Sequence, residues 1–334
     1  MNLSFPPIPP PFFSITILCW NSNNYIDKCL ESLKNQTFPD FEVLLVDNNS
    51  PDPVPGSLIN DYSTLNIRHY RLDTNLGFAG GNNFGASEAK GKYLILLNSD
   101  AFPTSNWLEN IKKAIEKYPQ SFFASKLLMA NYPNRLDGTG DTYHFSGMVW
   151  RTNHNRLEKN VRQQEGEVFS ACGAAAIYPK AAFDEVGGFD EDYFAYVEDV
   201  DLGFRLQLVG YKCIYLPDAV VHHVGSGSTQ RRSDLSVYYG QRNLIWTFMK
   251  NIPSPLIYFL LPFHILANIF LLIISMFRHQ GKITLQAKVD AMKKIPKFIM
   301  KRKKIHDQRK ISVCKLISLL NWNSLSPIKK FFSE

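Results

Sequence analysis

The sequence predicts an α/β fold in which a mostly parallel central sheet is flanked by helices, with a helical extension at the C-terminal end. Three observations lead to this prediction. Short apolar runs alternate with helical patterns over roughly the first 100 residues, which is typical of parallel strands joined by right-handed crossovers. Polar residues follow several of these runs, at the strand ends where open sheets bind ligands. Finally, residues 251–277 contain no Lys, Arg, Asp or Glu and precede a basic tail.

The elements of the predicted sheet follow one another closely along the chain. The apolar runs that predict strands are residues 14–20, 41–46, 67–72 and 93–97. Helical spacing within residues 21–38 predicts a first helix, and a further helix is expected after the glycine-rich segment 75–82, ending near residue 89. Residues 130–170 are polar and irregular, so we expect them to cross the rim of the site. Residues 171–225 return to compact alternation, with a strand at 213–216.

The charge of the chain is unevenly divided. The formal net charge is +7, but residues 278–334 carry 15 Lys and Arg against 3 Asp and Glu, a balance of +12, whereas residues 1–277 are net −5. This division argues against a nucleic-acid partner for the body and for a tail that faces an anionic surface. The five cysteines form no CxxC pair, which predicts reduced thiols in a cytosolic setting and no zinc site.

The charge-free stretch is long enough to cross a bilayer, which takes about 20 apolar residues. A full span would separate the basic tail from a cytoplasmic body, against the tendency of basic segments to stay inside. We therefore predict a body of residues 1–250 and a membrane-associated part of residues 251–334, whose apolar helix is re-entrant or lies in the membrane plane while the tail contacts anionic headgroups. The predicted location is the cytoplasmic face of the cell membrane, peripheral or monotopic. A helix buried in a soluble domain is the alternative.

The most concentrated chemical signal lies in residues 193–205, where Glu198, Asp199 and Asp201 stand beside four aromatic residues. Carboxylates this close repel one another, and apolar surroundings raise the cost of ionising them. The simpler interpretation is a charged helix start, because the helix dipole favours acids in the first turn. The alternative is a cluster that takes a proton from a substrate or holds a cation.

Polar residues at strand ends point to a ligand site. Asp47 is either a turn residue or a carboxylate that accepts hydrogen bonds from a nucleoside. Asp100 ends another strand, where a carboxylate can bind a hard divalent cation. His223 could complete such a shell, since manganese accepts imidazole together with oxygen; a hydrogen-bonded core histidine is the alternative. The glycines of residues 77–85 would let backbone N–H groups approach a ligand, or would simply form a turn.

Several segments occur in an order that resembles the inverting family 2 glycosyltransferases with the GT-A fold, and especially their rhamnosyltransferase-like bacterial branch. The segments, spread over residues 14–243, are ITILCWNSNNYIDKCLESL, VLLVDNNSPD, NLGFAGGNNFG, YLILLNSDAFP, CGAAAIY, VGGFDEDYFAYVEDVDLGFRLQLVGYKCIYLPDAVVHHVGS and YYGQRN. The resemblance implies a Rossmann-like sheet and transfer of a sugar from a nucleotide-diphosphate-sugar donor to a hydroxyl of a saccharide or lipid-linked acceptor. It further implies that the cofactor is Mg²⁺ or Mn²⁺ and that the protein acts in cell-surface polysaccharide synthesis. The sugar that the resemblance suggests is rhamnose, donated by dTDP-rhamnose.

The resemblance also implies roles for the matching residues. Asp199 corresponds to the catalytic base, with Glu198 beside it, and Asp100 and His223 correspond to the metal ligands. The residues implied for donor binding are Asn21, Asp47, Asn75, Gly77, Gly80, Asn82, Asn98 and Ser99. Those implied for the acceptor side are Gly173, Ala174 and Asp201. Asn98 stands where many relatives have the first acid of the metal motif.

Two other classes of function remain as alternatives. A nucleotidyltransferase would need a basic stretch near the first strand, and residues 14–27 contain no Lys or Arg. A non-catalytic, membrane-anchored module that binds a sugar nucleotide or a glycan would have no chemical reason to keep Asp100, Asp199 and His223 together. Glycosyl transfer needs both a cation on the leaving diphosphate and a general base for the acceptor hydroxyl, which agrees with the residues present.

Overall fold

The computed structural model of the protein describes residues 9–161, 163–225 and 233–327. The strands in these ranges are β1 (Phe13–Cys19), β2 (Phe41–Asp47), β3 (Ile67–Arg71), β4 (Tyr93–Asn98), β5 (Ala101–Pro103), β6 (Ser121–Met129), β7 (Tyr132–Gly138), β8 (Asp141–Tyr143), β9 (Val149–Arg151), β10 (Gly166–Val168), β11 (Ala175–Pro179) and β12 (Lys212–His223). The α-helices are α1 (Ile26–Lys34), α2 (Gly56–Asp61), α3 (Gly77–Glu88), α4 (Trp107–Lys117), α5 (Lys180–Glu185), α6 (Glu198–Leu208), α7 (Asp234–Asn251), α8 (Leu256–Phe277), α9 (Gly281–Lys293), α10 (Ile295–Asp307) and α11 (Val313–Leu319).

Most strands join one sheet, in the order β10, β12, β6, β11, β4, β1, β2 and β3. β1 pairs in parallel with β2 and β4, and β2 with β3, whereas β11 runs antiparallel between β4 and β6. The sheet is therefore mixed but mostly parallel and flanked by helices, which confirms the predicted fold class. The strand order reverses between β1 and β4, and such a reversal opens a crevice at the carboxyl ends of the strands.

The glycine-rich segment is helical, unlike the open turn that we expected before the helix. α3 begins at Gly77 itself. A Cβ atom on Gly81 would lie 2.4 Å from Leu18, and one on Gly85 would lie 2.3 Å from Thr16, both in β1. Glycine is therefore needed there so that the helix can approach the strand closely, which is a packing reason and not a ligand-binding one.

Residues 130–170 are more ordered than their polarity indicated. They contain β7 and β10, which join the main sheet, and the separate β8–β9 hairpin. The polar side chains of this segment form ion pairs and hydrogen bonds inside the protein. Asp137 forms an ion pair with Arg151, and the Ser170 hydroxyl donates a hydrogen bond to Asp141 at 3.2 Å. Buried polar groups are tolerated when they are hydrogen-bonded, so the polarity of this segment was not a reliable sign of irregular structure.

The C-terminal extension packs on the sheet domain. Leu260 of α8 and Leu316 of α11 share a hydrophobic cluster with Tyr143 and Phe204. After α8 the chain returns to the body, where Lys310 pairs with Glu185 at 2.7 Å and Lys315 with Glu167 at 3.2 Å. Part of the tail's positive charge therefore faces the acidic body and not an external surface. α8 is long and apolar enough to cross a membrane, and 17% of its most apolar 18-residue window is buried.

A buried ion network lies beneath the start of α6. Lys250 of α7 is 1% exposed and contacts Asp190 at 2.7 Å and Asp201 at 2.8 Å. Arg205 also contacts Asp201, at 2.9 Å. Two residues along a helix rotate a side chain by about 200°, so Asp201 lies on the opposite side of α6 from Asp199. The network explains why Asp201 is fully buried.

We expect Lys250→Ala to lower the free energy of unfolding by about 3–5 kcal/mol, because it removes the buried cation between two carboxylates. Urea unfolding followed by circular dichroism measures the change. Lys113→Ala is the control, since Lys113 pairs with Glu109 on the surface and is 66% exposed. Equal unfolding midpoints for the two variants would contradict the assignment.

Candidate active site

A cavity of about 560 Å³ lies at the carboxyl ends of the central strands. Ser22, which follows β1, Asn48, which follows β2, and Asp100, which follows β4, line it. The loop before β11 and the first turn of α6 also line it, and the β8–β9 hairpin contributes Asp141 and Arg151. The cavity thus occupies the crevice that the reversal of strand order creates.

Most of the residues singled out from the sequence meet in this cavity. Those that line it are Asn75, Gly77, Asn98, Ser99, Asp100, Gly173, Ala174, Glu198, Asp199 and His223. Those that do not line it are Asn21, Asp47, Gly80, Asn82 and Asp201. The cavity therefore gathers both metal-ligand candidates and both catalytic candidates, although they lie up to 123 positions apart in the sequence.

The residues outside the cavity have local partners. Asp47 is fully buried, and its carboxylate accepts hydrogen bonds from the Ser50 backbone at 2.7 Å and from Arg71 at 3.1 Å. Asn82 points along its own helix and donates to the Phe78 carbonyl at 2.9 Å. Asp47 lies next to the cavity-lining Asn48, so its carboxylate supports the loop after β2 from behind.

His223 meets Asp100 because of strand pairing. The last residues of β12 pair with β5, which sets His223 opposite Ala101, the residue after Asp100. His223 Nε2 lies 3.4 Å from Asp100 Oδ1 and 3.5 Å from Asn98 Nδ2. Side chains alternate along a strand, so His222 points to the other face of the sheet.

Asp137 orients His223 from behind. Its Oδ2 lies 2.7 Å from His223 Nδ1, and the same carboxylate contacts Arg151 and lies 3.3 Å from His154 Nδ1. Burial opposes ionisation of Asp137, but Arg151, His154 and His223 hold its pKa well below the usual range. Burial likewise lowers the pKa of His223, yet its hydrogen bonds to Asp100 and Asp137 raise it to about 9. A metal ion at Nε2 would therefore have to displace a proton.

Asp100 and His223 fit a divalent cation. One carboxylate and one imidazole are donors that manganese accepts together, and a carboxylate behind the histidine is the common outer partner of such a ligand. Within the described ranges, no group of three or more His, Cys, Asp and Glu side chains forms a metal cluster. The remaining coordination positions would therefore go to water and to the oxygen atoms of a bound anion.

Asp199 lies in the first turn of α6 and lines the same cavity. Its Oδ2 accepts a hydrogen bond from the Gly173 N–H at 2.9 Å, and its Oδ1 accepts one from the Val200 N–H at 2.8 Å. Burial raises the pKa of Asp199, although these backbone N–H groups oppose the rise. An oriented carboxylate with a raised pKa has the properties of a general base.

Two further carboxyl groups adjoin Asp199. Burial and the charge of Asp199 raise the pKa of Glu198 well above its usual range, and its Oε2 has no hydrogen-bond partner among the described residues. Burial and Asp199 also raise the pKa of Asp141, to about 8. Like charges in one buried cavity oppose each other's ionisation, so the pKa values of these acids depend on one another.

The sequence arguments missed Asp137, Asp141 and Arg151. All three belong to the region that we expected to be irregular, and each is held by partners distant in the sequence. The only local signal was DGTGD at residues 137–141, in which two acids flank glycines. That pattern is also an ordinary turn pattern, so it did not distinguish a site from a loop.

Comparison with known proteins points in one direction. Residues 14–187 match the family model described as Glycosyl transferase family 2. The N-acetylglucosaminyl-diphospho-decaprenol L-rhamnosyltransferase of Mycobacterium tuberculosis (strain CDC 1551 / Oshkosh) is 28% identical over 243 residues, which cover 65% of this chain and 77% of that relative. The match to the family model contains every cavity residue up to β11. It ends at residue 187, before α6 begins, so α8 to α11 also lie outside it.

Two solved structures share the fold. The structure of S. aureus TarS 1-349 in complex with UDP-GlcNAc superimposes with a TM-score of 0.55 at 21% identity, covering 89% of this chain and 88% of that one. GalNAc-T7 with UDP, GalNAc and Mn²⁺ gives a TM-score of 0.60 at 16% identity, covering 73% of this chain. The alignment spans 49% of the GalNAc-T7 chain, about half of its length.

Proposed function

This chain belongs to glycosyl transferase family 2, and we propose that it transfers a sugar with inversion from a nucleotide-diphosphate-sugar donor to a hydroxyl of a saccharide acceptor. The acceptor we propose is lipid-linked, and the setting is the synthesis of a cell-surface polysaccharide. The observation that carries the proposal is that Asp199, Asp100 and His223 line one cavity. A general base and a cation site within one cavity are what a single inverting displacement requires.

The proposed reaction is one displacement at the anomeric carbon of the donor. Asp199 accepts the proton of the acceptor hydroxyl, whose oxygen forms the new bond to the anomeric carbon. The bond from that carbon to the diphosphate breaks, and the nucleoside diphosphate leaves with the electron pair. Asp100 and His223 would hold Mg²⁺ or Mn²⁺, which when bound supplies positive charge to the leaving diphosphate. GalNAc-T7, which shares the fold, was solved with Mn²⁺ and UDP, and this supports the cofactor.

For the donor we propose rhamnose carried by dTDP. The support is the similarity to the Mycobacterium tuberculosis L-rhamnosyltransferase, which is 28% identical. TarS was solved with UDP-GlcNAc, so that donor is the first competitor. Asn75, Gly77 and Asn48 line the side of the cavity proposed for the nucleotide, and Gly173 and Ala174 line the side proposed for the acceptor.

A panel of nucleotide sugars tests the proposed function. The purified protein is incubated with dTDP-rhamnose, UDP-GlcNAc and other donors, with and without Mn²⁺ or Mg²⁺, and both melting temperature and slow donor hydrolysis are recorded. We expect one donor to stabilise the protein only with metal and to be hydrolysed. Stabilisation without any hydrolysis or transfer would favour the alternative of a non-catalytic, membrane-anchored binding module.

The rate is expected to depend on pH through the coupled acids of the cavity. A base works only when ionised, so the raised pKa of Asp199 moves the loss of activity on acidification to a higher pH than an ordinary aspartate gives. Arg151→Gln removes the positive charge that lowers the pKa of Asp199, so it should move the acid limb of kcat/KM up by about one unit. Asp141 and Glu198, which also line the cavity, stay in place. Arg156→Gln on the surface is the control, and an acid limb common to both variants would contradict the coupling.

We propose that the protein lies on the cytoplasmic face of the membrane, with α8 in the plane of the interface and anionic lipids around the tail. Two observations support an in-plane helix. His264 on one side of α8 stacks on Phe248 and hydrogen-bonds the Ser146 carbonyl at 2.8 Å, which ties the helix to the body. The chain after α8 pairs with body acids through Lys310 and Lys315, so both ends of the helix are on one side.

Vesicle sedimentation tests the membrane proposal. The exposed face of α8 carries Phe259, Leu266 and Met276. We expect the wild type to sediment with vesicles of phosphatidylglycerol and phosphatidylcholine, and the triple variant Phe259→Ser, Leu266→Ser, Met276→Ser to stay in solution. Tyr132→Ser, at an exposed site in β7, is the control. Equal sedimentation of the triple variant and the wild type would overturn the in-plane proposal.

A further inference from the structure

The loop that leads into α6 holds an unfavourable backbone conformation. Phe194, Tyr196 and Val197 have φ angles of 65°, 68° and 70°. A positive φ is uncommon for any residue with a Cβ atom, and it is an outlier for a β-branched residue such as Val197. Such residues cost about 1–3 kcal/mol each and persist only where the surrounding structure holds them. All three line the cavity, and Val197 is the residue before Glu198 and Asp199.

One buried side chain of α7 holds this loop. Asn243 is fully buried, and its Nδ2 lies within hydrogen-bonding distance of three carbonyl oxygens of the loop. The distances are 3.1 Å to Tyr193, 2.9 Å to Ala195 and 2.7 Å to Tyr196. Three carbonyls within four residues that point to one donor define the backbone path, so Asn243 specifies the conformation that the loop's own residues disfavour.

Arg242 extends the same contact. Its Nη2 donates to the carbonyls of Asp192 and Tyr193, at 2.9 Å each, and its Nε donates to Asn243 Oδ1 at 3.0 Å. The Arg242 guanidinium lies 4.1 Å from the ring of Trp246, which limits its movement. The forked guanidinium therefore orients the Asn243 amide as well as the start of the loop.

The other side of the loop contacts the donor half of the cavity. The Phe194 carbonyl accepts a hydrogen bond from the Ala79 N–H of α3 at 3.0 Å, and a Cβ atom on Gly77 would come within 2.4 Å of the same oxygen. The Phe194 ring stacks on Tyr239 of α7, with centroids 5.0 Å apart. The loop thus joins the helix that carries Asp199 to the residues proposed for nucleotide binding.

We propose that Asn243 is a positioning residue for sugar transfer. It holds the strained loop, and the loop in turn sets the first turn of α6 so that Asp199 faces the acceptor hydroxyl. Asn243 does not line the cavity itself, so its effect on catalysis passes through the loop. The inference rests on the proposed function in one respect, that Asp199 is the base.

Kinetics with the donor identified in the panel test the proposal. We expect Asn243→Ala to lower kcat by about 100-fold, the cost of a small misplacement of a catalytic group, while the donor Kd and the binding stoichiometry stay near wild type. A purely structural role would instead lower the fraction of protein that binds the donor. Asn251→Ala is the matched control, because Asn251 is a fully buried amide on the same helix that donates to Asp201 at 2.8 Å. It should retain kcat within about threefold, since its target lies outside the cavity.

Hydrogen exchange separates this proposal from the proposed function. We expect amides of residues 194–200 to exchange about tenfold faster or more in Asn243→Ala, and at the wild-type rate in Asn251→Ala. This readout needs no donor, so a wild type that turns over no donor would refute the proposed function alone. If Asn243→Ala does not fold, Arg242→Lys is the second variant. Lysine cannot donate at once to the loop carbonyls and to Asn243 Oδ1 as the guanidinium does, so kcat should fall by about tenfold. Unchanged exchange of the loop, or equal kcat losses in Asn243→Ala and Asn251→Ala, would overturn the proposal.

Discussion

Replacing Asp199 with asparagine is expected to abolish sugar transfer while the donor remains bound. Asparagine keeps the shape of the side chain and an oxygen that can accept the Gly173 N–H, which Asp199 accepts at 2.9 Å. It cannot accept the acceptor's proton, because an amide is not a base at neutral pH. General-base catalysis contributes about 10²–10⁴-fold, so kcat should fall by that factor. Donor binding should be retained, because Asp199 is not among the residues proposed to bind the donor or the metal.

Transfer and donor affinity have to be measured together on this variant. Donor affinity comes from the melting shift with metal, and transfer or slow hydrolysis comes from mass spectrometry. Asp192→Asn is the matched control, since Asp192 is an acid close in sequence that pairs with Lys301 at 2.7 Å and does not line the cavity. Substantial residual turnover in Asp199→Asn would assign the base elsewhere, and Glu198 or Asp141 would be next in line.

Asp100→Ala is expected to have the second large effect: it should weaken the metal-dependent binding of the donor. Asp100 is the carboxylate that faces His223 Nε2, and without it the described side chains there are one imidazole and the neutral Asn98. Loss of an outer-shell partner typically costs 10- to 100-fold in metal affinity, and loss of a direct ligand should cost at least about 100-fold. The apparent metal affinity in the presence of donor should fall accordingly.

The two neighbouring histidines provide an internal control for the metal assignment. His223→Ala should resemble Asp100→Ala, whereas His222→Ala should bind metal and donor like the wild type because its side chain points to the other face of β12. Donor stabilisation titrated with Mn²⁺ measures each variant. Metal dependence that is unchanged in Asp100→Ala, or lost equally in both histidine variants, would contradict the proposed ligands.

Together these variants distinguish an enzyme from a binding module. An enzyme should lose turnover but not affinity in Asp199→Asn, and affinity in Asp100→Ala. A module that only binds a sugar nucleotide should show no change in Asp199→Asn, because it uses no base.

Much of this protein was predictable from its sequence, because the relevant signals are local. The alternation of apolar runs with helical spacing predicted β1 to β4 together with α1 and α3, though not the short helix α2, and the fold class was confirmed. The resemblance to family 2 glycosyltransferases was confirmed as well. Strand ends are visible as the place where an apolar run stops. Asn98 to Asp100 were therefore identifiable as one group, and parallel strands bring such ends to one edge of the sheet.

Residues whose surroundings are formed by distant segments were not predictable in the same way. Asp201 and Asp199 looked alike in the sequence, but the helix turns one toward Lys250 and the other toward the cavity. Asp47 was predicted to be a turn residue or a carboxylate that accepts hydrogen bonds from a nucleoside, yet its carboxylate accepts them from Arg71 and from the Ser50 backbone. Local composition cannot distinguish these cases, because burial depends on which element packs over a residue.

The sequence alone determined the family, the parallel strands β1 to β4 with α1 and α3, and the residue types available for a base and a cation site. Only the tertiary structure decided that Asp137 stands behind His223, 86 positions away, and that Asn243 holds the loop before Asp199. It also decided that the tail folds back onto the body. Propensity and periodicity act over a few residues, whereas these contacts depend on strand register and helix packing between segments that meet only in the folded chain.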